Sequence, residues 1–101
     1  MKEHFFQGDI LKIEKIKVPV LVVSKNYFNE SGEIIGCPIY EDGELGPLHI
    51  RISDEEDGGI VHCEKMKLFD LRVRGCTKVG NISINAIMDI TDTIQGICDY
   101  V

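Results

Sequence analysis

The chain has 101 residues, with 11 lysines and arginines against 17 acidic residues and a formal net charge of −6. This length favours a single domain, residues 1–101, with its own hydrophobic core. The sequence contains neither a secretory signal nor an apolar run near the roughly 20 residues of a membrane helix, so we expect a soluble cytoplasmic protein without a membrane partner.

The predicted elements begin with a strand over Asp9–Ile16. The runs VPVLVV and EIIGCPIY then predict two strands that are buried on both faces and form the centre of a small curved sheet. Pro19 has no amide hydrogen and is expected at a strand start or on an edge. The interval KNYFNESGE is predicted to be a turn too short for a helix, with Tyr27 and Phe28 capping the end of the sheet.

The second half of the chain alternates strands and loops before a helix. Leu48–Ile52 alternates apolar and polar residues, which places His49 on the polar face of a strand. The acidic run DEEDGG is interpreted as a solvated loop, and further strands are expected around residues 60–63 and 76–80. Ser83 is a candidate N-cap for an amphipathic helix from Ile84 to Cys98. The apolar arc of this helix is wide, so part of it is expected to face a second subunit.

Charge is distributed unevenly along the chain. Residues 30–57 contain nine acids against the single Arg51, whereas residues 64–78 are mainly basic. The basic positions in that segment are Lys65, Lys67, Arg72, Arg74 and Lys78. Two interpretations stay open, an ordinary solvated surface and a site for an anion such as a nucleic-acid backbone or an acidic peptide. If the segment is extended, Arg72 and Arg74 project to the same side.

Standard catalytic and metal motifs are missing from the sequence. There is no P-loop, no G-x-S-x-G and no H-E-x-x-H. The four cysteines stand without a C-x-x-C pair, which favours free thiols in a reducing compartment. A zinc site built from His49, His62, Cys63 and Cys76 matches no ligand spacing, so we expect neither a metal nor a cofactor.

Several segments in order resemble the MazF/PemK toxins of type II toxin–antitoxin modules, over most of the chain from Phe6 to Cys98. These segments are QGDI, PVLVVS, GCPI, HIRIS, GIVHCEKMK and, most specific of all, DLRVRGCTKVG. The resemblance implies a mainly β fold, an SH3-like (CcdB/PemK-type) barrel of five to seven strands with a C-terminal amphipathic helix. It also implies a homodimer, a cognate antitoxin peptide that binds across the dimer, and metal-independent cleavage of single-stranded RNA.

The chain departs from this family at the positions that carry its chemistry. The family uses an arginine before the proline that opens the second strand and a threonine or serine at the end of the third, and these positions here are Val18 and Tyr40. Lys17 and Tyr40 are the candidate catalytic substitutes. The residues assigned to RNA or partner binding are His49 and the five basic residues of segment 64–78.

Three functions therefore stay open. The first is an mRNA-cleaving toxin with a rearranged active site and weak or lost activity, with Lys17, Tyr40 or His49 as its candidate catalytic residues. The second is a non-catalytic binding module that holds an antitoxin or another peptide through Arg72 and Arg74. The third is a gyrase poison on the same fold, which ranks low because its chemistry relates to a tryptophan-bearing tip and this chain has no tryptophan.

Overall fold

The computed structural model describes residues 4–52 and 59–98, so the prediction for the acidic loop DEEDGG lies outside the described residues. The described part contains seven strands, two helices and a short 3-10 turn over Cys63–Lys65. The strands are β1 (Asp9–Ile13), β2 (Val20–Val22), β3 (Glu33–Tyr40), β4 (His49–Arg51), β5 (Ile60–His62), β6 (Lys67–Asp70) and β7 (Cys76–Asn81). The helices are α1 (Asn26–Asn29) and α2 (Ile84–Cys98).

All seven strands pair antiparallel, in the order β4-β5-β3-β2-β1-β7, with β6 also paired to β3. β3 is the shared strand, since its first half pairs with β6, its middle with β2 and its last two residues with β5. This confirms the prediction of a mainly β fold of five to seven strands with a terminal helix, organised around the two central apolar runs.

β2 and β3 are buried on both faces, as the unbroken apolar runs predict. Leu21 and Cys37 belong to a core cluster that includes residues of α2, whereas Val20, Val22 and Ile34 belong to a second cluster with β1 and β6. Side chains alternate across a strand, so a strand between two cores needs apolar residues at every position. Pro19 directly precedes β2, the position that its missing amide hydrogen requires.

α2 begins and ends where the pattern predicts. The Ser83 hydroxyl accepts a hydrogen bond from the Ala86 amide at 3.1 Å, which is the expected N-cap. Ile87 and Ile90 are buried against the sheet, but Ile84 and Met88 remain 72% and 55% exposed. Within residues 4–52 and 59–98, neither helix has the length and apolar character to cross a membrane.

Two local predictions before β3 are wrong. β1 ends at Ile13 and not at Ile16, because the chain turns there and Lys15 adopts a positive φ of 69°. The interval after β2 is not a simple turn, since it contains α1. The buried Ser24 hydroxyl anchors this helix by donating a hydrogen bond to the side-chain carbonyl of Asn29. Tyr27 caps no core, because it is 83% exposed.

Segment 71–74 is a turn, so the condition of an extended segment, under which Arg72 and Arg74 would project to the same side, is not met. The Asp70 carboxylate accepts hydrogen bonds from the Arg72 amide at 3.0 Å and from Arg72 Nε at 2.9 Å, which bends the chain after β6. β6 itself was not predicted, because its four residues are too few for a clear alternation. Arg72 and Arg74 therefore extend from a turn.

Candidate active site

A groove of about 390 Å³ lies beside the last residues of β3, and we call it the Tyr40 groove. One wall comes from Val18 and Val20 and the other from the segment around the 3-10 turn. Its polar lining residues are Tyr40, Glu64, Lys65 and Lys67. The lysine ammonium of Lys65 lies 5.1 Å from the centre of the Tyr40 ring, a cation–π distance. The groove therefore joins an aromatic ring to positive charge.

Three aromatic rings run from the groove along the surface of β4 and β5. His49 and His62 are directly paired across these strands, and their rings stack with centres 3.9 Å apart and planes inclined by 22°. The His62 ring also contacts Tyr40, with centres 4.4 Å apart. Because paired residues point to the same face, the register of β4 against β5 brings the two histidines together.

Glu64 links the histidine pair to the Tyr40 groove. Its Oε1 atom lies 2.7 Å from His49 Nε2 and 3.8 Å from His62 Nδ1. The other ring nitrogen of His49, Nδ1, is 3.1 Å from the carbonyl oxygen of Glu44. Both nitrogens of His49 thus face acceptors, an arrangement that fits the doubly protonated imidazolium.

The two histidines have opposite preferences for a proton. The hydrogen bond to Glu64, followed by the one to the Glu44 carbonyl, raises the pKa of His49. Burial, and then the neighbouring His49, lowers the pKa of His62, whose two ring nitrogens are buried without a hydrogen-bond partner. Partial burial opposes ionisation of Glu64, but its hydrogen bonds outweigh this and lower its pKa. Of the two histidines, His49 is therefore the one that binds a proton more readily, and it does so beside the Glu64 carboxylate.

The same three side chains offer donor atoms within 4.8 Å of one another, a distance suited to a metal ion. In the part of the chain that the structure describes, the three groups already contact one another through Glu64 Oε1, and we assign no metal site. The set His49, His62, Cys63 and Cys76 that was weighed for zinc is not brought together, since Cys63 is fully buried in one core cluster and Cys76 packs against the other.

The other predicted binding residues fall at two separate places. Arg72 and Arg74 line a groove of about 380 Å³ on the β6–β7 side, which we call the Arg72 groove. Arg72 is held by Asp70 and lies 3.7 Å from Glu33, so it pairs with neighbouring acids, one of the alternatives that the sequence left open. Lys78 lies 3.2 Å from the buried carboxylate of Asp9. The basic segment is thus divided among three sites.

Lys17, a predicted catalytic substitute, sits at the margin of the Tyr40 groove. Its neighbours Ile16 and Val18 line the groove, whereas the Lys17 side chain is exposed. Lys17 and Val18 belong to a bend before β2 and not to a regular strand.

Two residues of this site were missed by sequence reasoning. His62 was named only in the zinc set that matched no ligand spacing, and Glu64 was not named at all. Local spacing does not reveal them, because they approach His49 through the pairing of β4 with β5. A prediction of the register in which β4 pairs with β5 would have revealed that His62 lies beside His49.

Comparison with known proteins agrees with this architecture. The sequence matches the profile of the PemK-like, MazF-like toxins of type II toxin–antitoxin systems over residues 8–98. The chain belongs to this family. A search of the curated proteins found no match.

Solved structures of MazF-type proteins share the fold of this family member. The MazE–MazF complex (Form-II) from Deinococcus radiodurans has 14% identity and a TM-score of 0.85, covering 99% of this chain and 100% of that chain. An endoribonuclease from a mycobacterial species has 13% identity and a TM-score of 0.82, covering 97% and 94%. The mycobacterial endoribonuclease in complex with its cognate antitoxin has 13% identity and a TM-score of 0.79, covering 93% and 94%.

Proposed function

We propose that this chain is a cytoplasmic toxin that cleaves single-stranded RNA without a metal ion and is held inactive by a cognate antitoxin. The observation that carries the proposal is the Tyr40 groove, where Lys65 and Lys67 line the same depression as an aromatic ring. Lysines attract the phosphate backbone, and an exposed aromatic face can stack on an unpaired base. Similar solved structures include an endoribonuclease, which supports the same activity here.

Cleavage is expected to be slower than in relatives that keep the arginine and hydroxyl. Val18 supplies no charge to the groove, and the Tyr40 hydroxyl stands a ring's length away from the backbone. Loss of one group that stabilises transition-state charge costs about 10²- to 10³-fold in rate. We therefore propose weakened activity that relies on other side chains of the site.

The active form is proposed to be a homodimer. The exposed Ile84 and Met88 form an apolar face on α2 that the single chain leaves uncovered. Exposed apolar patches commonly mark protein contacts. The antitoxin peptide is proposed by analogy with the complexes of Deinococcus radiodurans MazE–MazF and of the mycobacterial endoribonuclease with its cognate antitoxin.

The test combines growth with RNA cleavage. The purified chain is incubated with a long single-stranded RNA in EDTA, and the termini are analysed for 2′,3′-cyclic phosphate and 5′-hydroxyl groups. In parallel, growth is followed after induced expression with and without the gene next to it. Cleavage in EDTA together with growth arrest is expected; absence of both would refute the ribonuclease proposal.

A second candidate is a binding module without catalysis, favoured by the Arg72 groove. Arg74 lies in this groove with Phe5 and Leu71, a mixed apolar and cationic surface that suits an acidic peptide. Binding of an acidic antitoxin peptide should weaken with salt and with Arg74→Ala. Peptide binding without any RNA cleavage would favour this candidate over the toxin.

A further inference from the structure

We propose that His49 and Glu64 are the acid–base pair that cleaves RNA in this chain, an assignment that rests on the proposed ribonuclease function. The family's two catalytic positions hold Val18 and Tyr40, so any cleavage needs another source of proton transfer. Neither member of this pair lies at those positions.

The geometry places both groups where RNA can reach them. Their side chains are each 31% exposed, and the Nε2 and Oε1 atoms are 2.7 Å apart. Glu64 lines the Tyr40 groove directly, next to Lys65. A phosphodiester bound by Lys65 would therefore lie beside the Glu64 carboxylate, and the His49 imidazole is 2.7 Å from that carboxylate at the edge of the groove.

The reaction balances with these two residues alone. The Glu64 carboxylate accepts the proton of a ribose 2′-hydroxyl, whose oxygen attacks the adjacent phosphorus. The bond from phosphorus to the 5′ oxygen breaks, and the His49 imidazolium turns its Nε2 proton from Glu64 to that leaving oxygen, while Nδ1 keeps its proton on the Glu44 carbonyl. The products are a 2′,3′-cyclic phosphate and a 5′-hydroxyl end. The proton on Glu64 then returns to His49 along the hydrogen bond that joins them, which restores the starting state.

The charges around the pair favour these starting protonation states. His49 is faced by the Glu44 carbonyl, by His62 and by Glu64, with Lys65 nearby, and the two hydrogen bonds raise its pKa. Glu64 is faced by both histidines, and its pKa is lowered. Neighbouring groups whose environments push their pKa values apart are the expected signature of an acid and a base. Lys65 supplies the cation that stabilises charge on the pentacovalent phosphorus.

His62 is assigned a positioning role. Its ring nitrogens are buried, so RNA does not reach them, while its ring face stacks on His49. The contact with Tyr40 on the other side keeps this ring in place. A flat apolar ring at position 62 should therefore preserve most of the activity.

The experiment compares His49→Gln and Glu64→Gln with His4→Gln, a matched change at an exposed histidine away from the site. Cleavage of a single-stranded RNA is measured in EDTA as single-turnover rates, with thermal unfolding as the folding control. Each site variant is expected to lose about 10²-fold or more, and the double variant little more than either single one, because the two residues act as a unit. His4→Gln is expected to stay within about threefold of the unchanged chain. His62→Phe, which keeps a ring stacked on His49, should retain more activity than His62→Ala.

A pH profile and chemical rescue separate catalysis from a structural role. The cleavage rate of the unchanged chain should depend on pH as a bell-shaped curve. Its acid limb should reflect the ionisation of Glu64, and its alkaline limb should reflect that of His49, with a pKa above the ordinary histidine value of about 6.5. Glu64→Gln should remove the acid limb and shift the alkaline limb to lower pH, because the hydrogen bond to the carboxylate is gone. Added imidazole should restore part of the rate of His49→Ala.

Two results would overturn the assignment. If the unchanged chain cleaves RNA and both site variants cleave equally well, the dyad is wrong while the ribonuclease function stands. If the unchanged chain does not cleave at all, the function and the dyad fail together.

Discussion

Removal of the Asn29 side chain tests how α1 is attached to the sheet. This side chain is only 8% exposed. Asn29 Nδ2 donates hydrogen bonds to the carbonyl oxygens of Ser24 at 3.1 Å and Phe5 at 3.3 Å. Asn29 also accepts a hydrogen bond from the Ser24 hydroxyl, which in turn accepts one from the Ile35 amide at 2.9 Å. The single side chain thus joins the N-terminal segment, the end of β2 and β3.

Asn29→Ala removes three of these hydrogen bonds and leaves buried polar groups without partners. At about 1 kcal/mol each the loss is about 3 kcal/mol. Alanine is the better helix former, which offsets less than about 0.7 kcal/mol. The expected net loss is about 2.5 kcal/mol in the free energy of unfolding, or roughly 10 to 20 °C in Tm for a domain of this size.

This difference is measured by urea and thermal unfolding of three proteins, namely the unchanged chain, Asn29→Ala and the exposed control Asn85→Ala. The control is expected to change stability by no more than about 0.5 kcal/mol. Ser24→Ala combined with Asn29→Ala should cost less than the sum of the two single changes, because they share a hydrogen bond. Equal Tm values for Asn29→Ala and Asn85→Ala would show that the buried network does not anchor α1.

The remaining predictions concern activity, packing and assembly. Val18→Arg introduces a cation into the Tyr40 groove and should raise RNA cleavage at least about tenfold, whereas Val73→Arg, at a site 77% exposed, should leave the rate unchanged. Gly36→Ala should lower the free energy of unfolding in urea by about 1 to 3 kcal/mol, because a Cβ there collides with a β2 side chain. In Gly96→Ala the new Cβ meets no heavy atom within 4 Å, so this control should stabilise α2. Ile84→Glu should lower the molar mass seen by light scattering from dimer toward monomer, and an unaltered dimer would exclude this face of α2 from the interface.

Local patterns in the chain predicted most of the elements correctly. Apolar runs at every position identified β2 and β3 as strands between two cores, and the period of α2 with its Ser83 cap gave that helix its limits. These signals are strong because burial restricts the residue types at many positions at once. This holds for a strand buried on both faces and for a helix buried along one stripe. Short elements were missed for the same reason, since the four residues of α1 and of β6 hold too few positions for a pattern.

The candidate site was only partly predictable. Tyr40, His49, Lys65 and Lys67 were named from the sequence, but there the two lysines stood in one basic segment together with Arg72 and Lys78. In the folded chain those last two pair with Asp70 and Asp9 at other places on the surface.

The sequence by itself determined the family, the central strands β2 and β3, and the limits of α2. Only the tertiary structure decided which residues meet at the groove, because His49 reaches Glu64 and His62 through the register of β4 on β5. Register depends on pairing between segments distant in the chain, and a shift by one residue would turn His49 away from its partners. That is why the composition of the site follows from the fold and not from any local motif.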